Sequence, residues 1–162
     1  MKFIASVVVV AAVFVLGVVP KARAAEDEPC SNATLRGTFR YTGTGSLLPA
    51  YAQPPLAGPF AEVGRQTFDG NGNTQATATL SANGNPFTVT IEGTYVVNPD
   101  CTGFMTLNVS PFGATVHADF VIDDDGAEFR AIVTDPGVVE RRVYKSSRRP
   151  IFTGAASVRR DQ

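Results

Sequence analysis

Phe87-Thr88-Val89-Thr90-Ile91-Glu92-Gly93-Thr94-Tyr95-Val96-Val97 is the stretch that decides the fold. Phe87, Val89, Ile91, Gly93, Tyr95 and Val97 are apolar or small, and Thr88, Thr90, Glu92, Thr94 and Val96 alternate with them. A period of two puts one set on each face of a β-strand. Val, Ile, Thr, Phe and Tyr suit such a pleated, half-buried surface. Asn83-Gly84-Asn85-Pro86 precedes the stretch and Asn98-Pro99-Asp100 follows it, and both are turn-forming.

The same pattern recurs on either side. Ala114, Val116, Ala118, Phe120 and Ile122 alternate through 114–122, and Asp123-Asp124-Asp125-Gly126 then turns into 127–134. Alternation also marks 34–43, the segments 59–68, 74–81 and 101–109 read as further strands, and the tail after Val138 is expected to hold one more strand near 151–159. Between them lie Asp69-Gly70-Asn71-Gly72-Asn73, Ser110-Pro111-Phe112-Gly113 and Asp135-Pro136-Gly137. No eleven-residue window after Ala24 keeps a helical period free of Gly or Pro. Strands with turns at roughly 8–12-residue spacing mark an all-β sandwich or barrel. Sequential tight hairpins favour an eight-stranded antiparallel up-and-down barrel, which removes its own edges. Such a barrel is filled by side chains or holds one small ligand. The longest irregular stretch, 44–58, carries Leu47, Leu48, Tyr51 and Leu56 among three prolines, and belongs across one mouth or over a sheet face.

With 162 residues and a net charge of −1, the chain is sized for one domain and is not basic enough for a dedicated nucleic-acid binder. Residues 1–24 read as a cleaved signal peptide. Lys2 is the positive start, Phe3 to Val19 the apolar run, and Ala22-Arg23-Ala24 the small-x-small site. The run is short for a span of about 20 residues, so no transmembrane anchor is expected after cleavage. Residues 25–162 then form a single barrel domain, secreted or periplasmic. Loss of Lys2, Lys21 and Arg23 leaves eleven basic residues against fifteen acids, a net charge of −4.

Cys30 and Cys101 are the two cysteines. In an oxidising compartment they can pair, and a bridge across so long a loop is worth about 4 kcal/mol in the chain-entropy model. Free thiols are the alternative. Two distant cysteines and one histidine make a poor zinc set, so no metal or cofactor is expected. The turns at 69–73 and 123–126 lack the rest of a calcium loop and read as hairpins.

Cys30-Ser31-Asn32-Ala33-Thr34-Leu35-Arg36-Gly37-Thr38-Phe39 and Gly64-x-x-Thr67-Phe68-Asp69-Gly70-Asn71-Gly72-Asn73 resemble small exported bacterial proteins of uncharacterised function. The resemblance continues through Gly93-Thr94-Tyr95-x-Val97-Asn98-x-Asp100-Cys101-Thr102-Gly103, Val121-Ile122-Asp123-Asp124-Asp125-Gly126-x-Glu128 and Thr134-Asp135-Pro136-Gly137. Such proteins look like calycin-type barrels, similar in architecture to allene oxide cyclase. The resemblance implies a barrel and a Cys30–Cys101 bridge. It carries over no catalytic residue.

Glu92, His117, Asp119, Glu128 and Arg130 fall on one face of neighbouring strands. If that face is the lumen, Glu92, His117, Asp119 and Arg130 are candidates for acid–base work, since His beside a carboxylate titrates near neutrality. If the more apolar opposite face is the core, they form an ordinary solvent surface. Phe39, Tyr41, Tyr95, Phe120 and Phe129 are then expected to line or fill the interior. Arg141, Arg142, Lys145, Arg148, Arg149, Arg159 and Arg160 read as a charged tail and edge, or as a contact for an anionic partner. Three functions follow: a binder of a small apolar or amphipathic molecule, an isomerase or cyclase of the allene oxide cyclase-like type acting on a polyunsaturated or polyene substrate, or a non-catalytic structural or envelope protein.

Overall fold

The period-two segments become strands because each can bury one face only by closing on its neighbours. A computed structural model describes residues 29–123 and 126–147. The strands are β1 (Gly37–Leu47), β2 (Gly58–Phe68), β3 (Asn73–Ala82), β4 (Asn85–Val97), β5 (Thr102–Ser110), β6 (Ala114–Ile122), β7 (Glu128–Val133) and β8 (Val138–Ser146). All neighbours are antiparallel and follow chain order, and β1 pairs with β8 to close the barrel. The fold is thus the eight-stranded up-and-down barrel that the alternation predicts.

Both ends of the first strand and the place of the last differ from expectation. Residues 32–35 form a short 3-10 helix, Asn32–Leu35, and β1 starts only at Gly37 and runs on to Leu47, into the stretch expected to be irregular. The strand expected at 151–159 lies outside the described residues. The barrel is closed instead by β8, within the basic segment read as a tail. Thr42, Val143 and Arg65 face outward in this wall, while Tyr41 and Tyr144 meet as inward-facing cross-strand partners.

The lumen has two unlike halves. In one half, aromatic rings fill the bore. Phe129 stacks on Tyr144 at 4.1 Å, Phe39 meets Phe129 edge-on at 5.2 Å, and Phe68 meets Tyr95 edge-on at 5.0 Å. Burying each such side chain contributes about 1.5–3 kcal/mol. The 3-10 helix seals this end. Leu35 is fully buried, Asn32 Oδ1 accepts from the Val97 amide at 2.8 Å, and the Tyr95 hydroxyl donates to the Asn32 carbonyl at 2.9 Å. The Cys30–Cys101 disulfide ties the plug to the turn before β5, across 71 residues of sequence. Between the two cysteines, therefore, pairing holds and free thiols do not. The opposite end is crossed by residues 48–57, anchored where the Leu48 amide donates to the Gly137 carbonyl at 2.8 Å.

Candidate functional site

The inward set of β2 reads Phe60, Glu62, Gly64, Gln66, Phe68, and that of β8 reads Val138, Glu140, Arg142, Tyr144. Each set carries charge in a row otherwise apolar or neutral. Register brings these charges together, because Glu62 and Arg142 are both cross-strand partners of Gly43, from opposite sides of β1. Strands two apart are separated by about 9.5 Å. Gly43 presents no side chain between them, so the two long side chains meet over its backbone. A Cβ at residue 43 would stand 2.7 Å from Glu62 Oε1 and 2.9 Å from Glu140 Oε1.

Arg142 is the hub. Its Nε donates to Glu140 Oε1 at 2.5 Å and its Nη2 to Glu140 Oε2 at 3.3 Å, a two-point hold on that carboxylate. Glu62 Oε1 stands 2.7 Å from the same Nε. The Nε proton is committed to Glu140, so Glu62 Oε1 feels the charge but accepts no hydrogen bond. Arg142 Nη1 reaches the Tyr144 hydroxyl at 3.5 Å, and its guanidinium carbon lies 5.5 Å from the Tyr41 ring centre. A relay fixes the hub from behind. The Tyr144 hydroxyl donates to Gln66 Oε1 at 3.2 Å, Gln66 Nε2 donates to Thr74 Oγ1 at 3.0 Å, and Thr74 Oγ1 donates to the Thr67 carbonyl at 2.9 Å. The Tyr41 hydroxyl is buried and has no hydrogen-bond partner.

Burial sets the protonation of this cluster. Glu62 is pushed up to about 8, chiefly because desolvation penalises its anion, and Glu140 beside it adds to the rise while Arg142 opposes it. Burial likewise pushes Tyr144 up to about 12, and holds Tyr41 well above the usual phenol range. Burial works against the charge of Arg142, yet the surrounding Tyr144, Glu62 and Glu140 raise its pKa further, and it stays cationic.

The cluster is the floor of a cavity of about 290 Å³ in the half of the barrel that the aromatic rings leave open. Phe60, Leu80, Val89, Ile91, Val109 and Val116 make apolar walls. Tyr51, Ala52, Gln53 and Leu56 of the crossing segment roof it. An apolar chamber with a few convergent polar groups at one end is the usual form of a small-molecule site.

The residues singled out from sequence lie elsewhere. Glu92, His117, Asp119 and Arg130 stand on the outer surface, not in the lumen. The strand pleat sends them there because the alternate residues Ile91, Val116, Ala118, Phe120, Phe129 and Ala131 point inward. His117 Nδ1 pairs at 2.8 Å with Asp135, not with Asp119, and its side chain is 54% exposed. Arg130 is 63% exposed and pairs with Glu128 at 3.0 Å and Asp123 at 3.3 Å as surface ion pairs, and together with Asp119 it borders an open hollow on the outer wall, not the lumen. Phe39, Tyr41, Tyr95, Phe120 and Phe129 do face inward, but none borders the cavity; they fill the closed half and its boundary. Glu62, Glu140 and Arg142 were missed. The available signal was a pair of opposite charges in the inward sets of two strands, each facing the same glycine.

No protein-family model matches the sequence, and no curated protein matches it. A solved structure described as "Structure of EF1p2_mFAP2b bound to DFHBI" matches at 13% identity, covering 70% of this chain and 94% of that one, with a TM-score of 0.46. A likeness at that level carries no argument about what this chain binds.

Proposed function

We propose that the protein is an exported carrier or receptor barrel that takes one small amphipathic molecule into the open half of its lumen. The observation that carries this reading is the division of the bore. One half is filled ring against ring, whereas the other keeps about 290 Å³ of apolar space above a buried ion cluster. A barrel built only for rigidity gains by filling that space, since unfilled volume forfeits dispersion contacts. The apolar body of a ligand fits the walls, and its polar end fits the floor. Export is supported by the leader-like residues 1–24, which lie outside the described residues, and by a disulfide suited to an oxidising compartment. Among the described residues no helix is long and apolar enough to cross a membrane.

Native mass spectrometry of protein purified from its own host tests the reading. The expected spectrum shows the chain with a small molecule bound, released under mild activation and accompanied by a thermal shift when added back. An empty protein with no shift across a panel of lipids, amines and polyketides would favour a structural role. One observation favours a second reading, an isomerase or cyclase. Glu62, raised to about 8 in an apolar chamber, holds a proton at neutral pH as a general acid must. Turnover of a polyene by wild-type protein, lost in Glu62→Gln while binding persists, would establish that reading over a carrier.

A further inference from the structure

We propose that the polar end of the ligand is a basic amine, seated against Glu62 at the floor of the cavity. The inference rests on the reading of that cavity as a ligand site and adds the chemistry of what it takes. It follows from what the cluster has in excess and what it lacks. Two carboxyl groups share one guanidinium. The guanidinium is already engaged, with Nε and Nη2 on Glu140 and Nη1 on the Tyr144 hydroxyl. An anionic head would therefore meet two acids and a guanidinium whose charge Glu140 already balances, and a third carboxylate in this low-dielectric space is strongly disfavoured. Glu62 Oε1, by contrast, is buried with no hydrogen donated to it, and the Tyr41 hydroxyl is buried without a partner. The vacant role is a positively charged donor. An ammonium group fills it once Glu62 has given up its proton, and the site then holds two anions against two cations.

The groups that face Glu62 are few. Tyr41 comes from β1, Glu140, Arg142 and Tyr144 from β8, and Gln66 lies further along β2. Its partner on β3 is Leu80, and β4 and β6 contribute Val89, Ile91 and Val116 to the chamber, none of which titrates. Glu62 is thus the group whose protonation answers to a cation. When an ammonium binds, Glu62 gives its proton to solvent; when a neutral amine binds, it takes that proton itself. Either route ends in the same ion pair.

Titration calorimetry of the wild-type chain with octylamine, octanol and octanoate, equal in chain and different in head, tests the proposal. Octylamine is expected to bind at least about tenfold tighter than octanol, and octanoate not at all. Between about pH 6 and about pH 8, octylamine affinity should rise by up to about tenfold per pH unit, because one proton leaves on binding. Near neutrality, the same release should show as a heat that varies with the ionisation enthalpy of the buffer. Glu62→Gln, close in shape, should remove the amine preference and the proton release while octanol still binds. Octanol or octanoate binding as tightly as octylamine, or amine binding unchanged in a folded Glu62→Gln protein, overturns the amine assignment and leaves the cavity reading standing. If none of the three binds, both fall. Wild-type proton release is read without any variant, so a Glu62→Gln chain that fails to fold does not remove the test.

Discussion

Gly43 shows how one residue without a side chain lets a sheet wall hold a charge cluster. Its neighbours on both sides reach over it, and the acid so placed, Glu62, is desolvated enough to keep its proton near neutrality. That has a consequence for stability with a definite sign. Unfolded, Glu62 titrates near its ordinary value of about 4.3. Folded, it titrates at about 8. Between these limits the folded chain holds a proton that the unfolded chain has lost, so stability must fall as pH rises through the window. The contribution is complete below the unfolded pKa and exhausted above the folded one, and the slope is at most about 1.4 kcal/mol per pH unit. Asp69, Asp100 and Glu128 act in the opposite sense. Hydrogen bonds from Asn73, Thr102 and Lys145 hold them below the usual carboxylate range, so their contributions are lost only as pH falls below about 4. Urea unfolding at intervals from about pH 5 to about pH 8 should show the decline in wild type and its absence in Glu62→Gln. A wild-type stability that stays flat across that range would mean Glu62 is ionised throughout.

At the scale of elements, the N-terminal plug and the crossing segment close opposite ends by different means. The plug is held covalently, by a 71-residue disulfide loop, and by Leu35 buried beneath the aromatic rings. The crossing segment is held by a few backbone hydrogen bonds and its own turns. Removing the bridge by Cys30→Ser with Cys101→Ser should cost up to about 4 kcal/mol in denaturant unfolding. Faster amide exchange should be confined to the plug and the 98–101 turn, with ligand affinity at the far end unchanged. Loss of ligand binding in a folded double variant would show that the two ends are coupled. Most of these elements were legible in the sequence, because strands β3 to β7 alternate cleanly and Gly, Asn, Asp and Pro punctuate the whole series. The 3-10 helix was hidden by the Leu35, Gly37, Phe39 alternation, which continues a strand pattern through residues that Ser31 and Asn32 turn aside. β8 was hidden by its composition. Val138, Glu140, Arg142 and Tyr144 compete with Val139, Arg141, Val143 and Lys145 for the inner face, and neither set is the more apolar. Only pairing with β1, which aligns Tyr144 with Tyr41 and Arg142 with Gly43, decides between them. The site was illegible for the same reason: charge alone reads as surface, and Glu62 and Arg142 lie 80 residues apart until the barrel closes.

At the scale of the whole molecule, the two halves of the bore divide stability from binding, and the division is measurable. The closed half carries the packing: Phe129 is fully buried and touches Phe39, Phe68, Phe120 and Tyr144. Phe129→Ala removes a ring that nothing can replace, and should cost about 3–5 kcal/mol through lost transfer energy and the cavity left behind. It removes no wall of the open chamber, so a chain that remains folded should keep its ligand affinity. Val116 faces the empty half. Val116→Phe adds volume where space already exists, escapes the usual cost of overpacking, and should change stability by less than about 1 kcal/mol. The same ring occupies the ligand's place, so affinity should drop by at least about tenfold, the equivalent of 1.4 kcal/mol. The two substitutions thus predict opposite patterns, one losing stability with binding intact and the other losing binding with stability intact. Paired unfolding and calorimetry on both variants read this directly. If Val116→Phe destabilises the fold as much as Phe129→Ala does, the open half is as tightly packed as the closed one, and the barrel has no room for a guest.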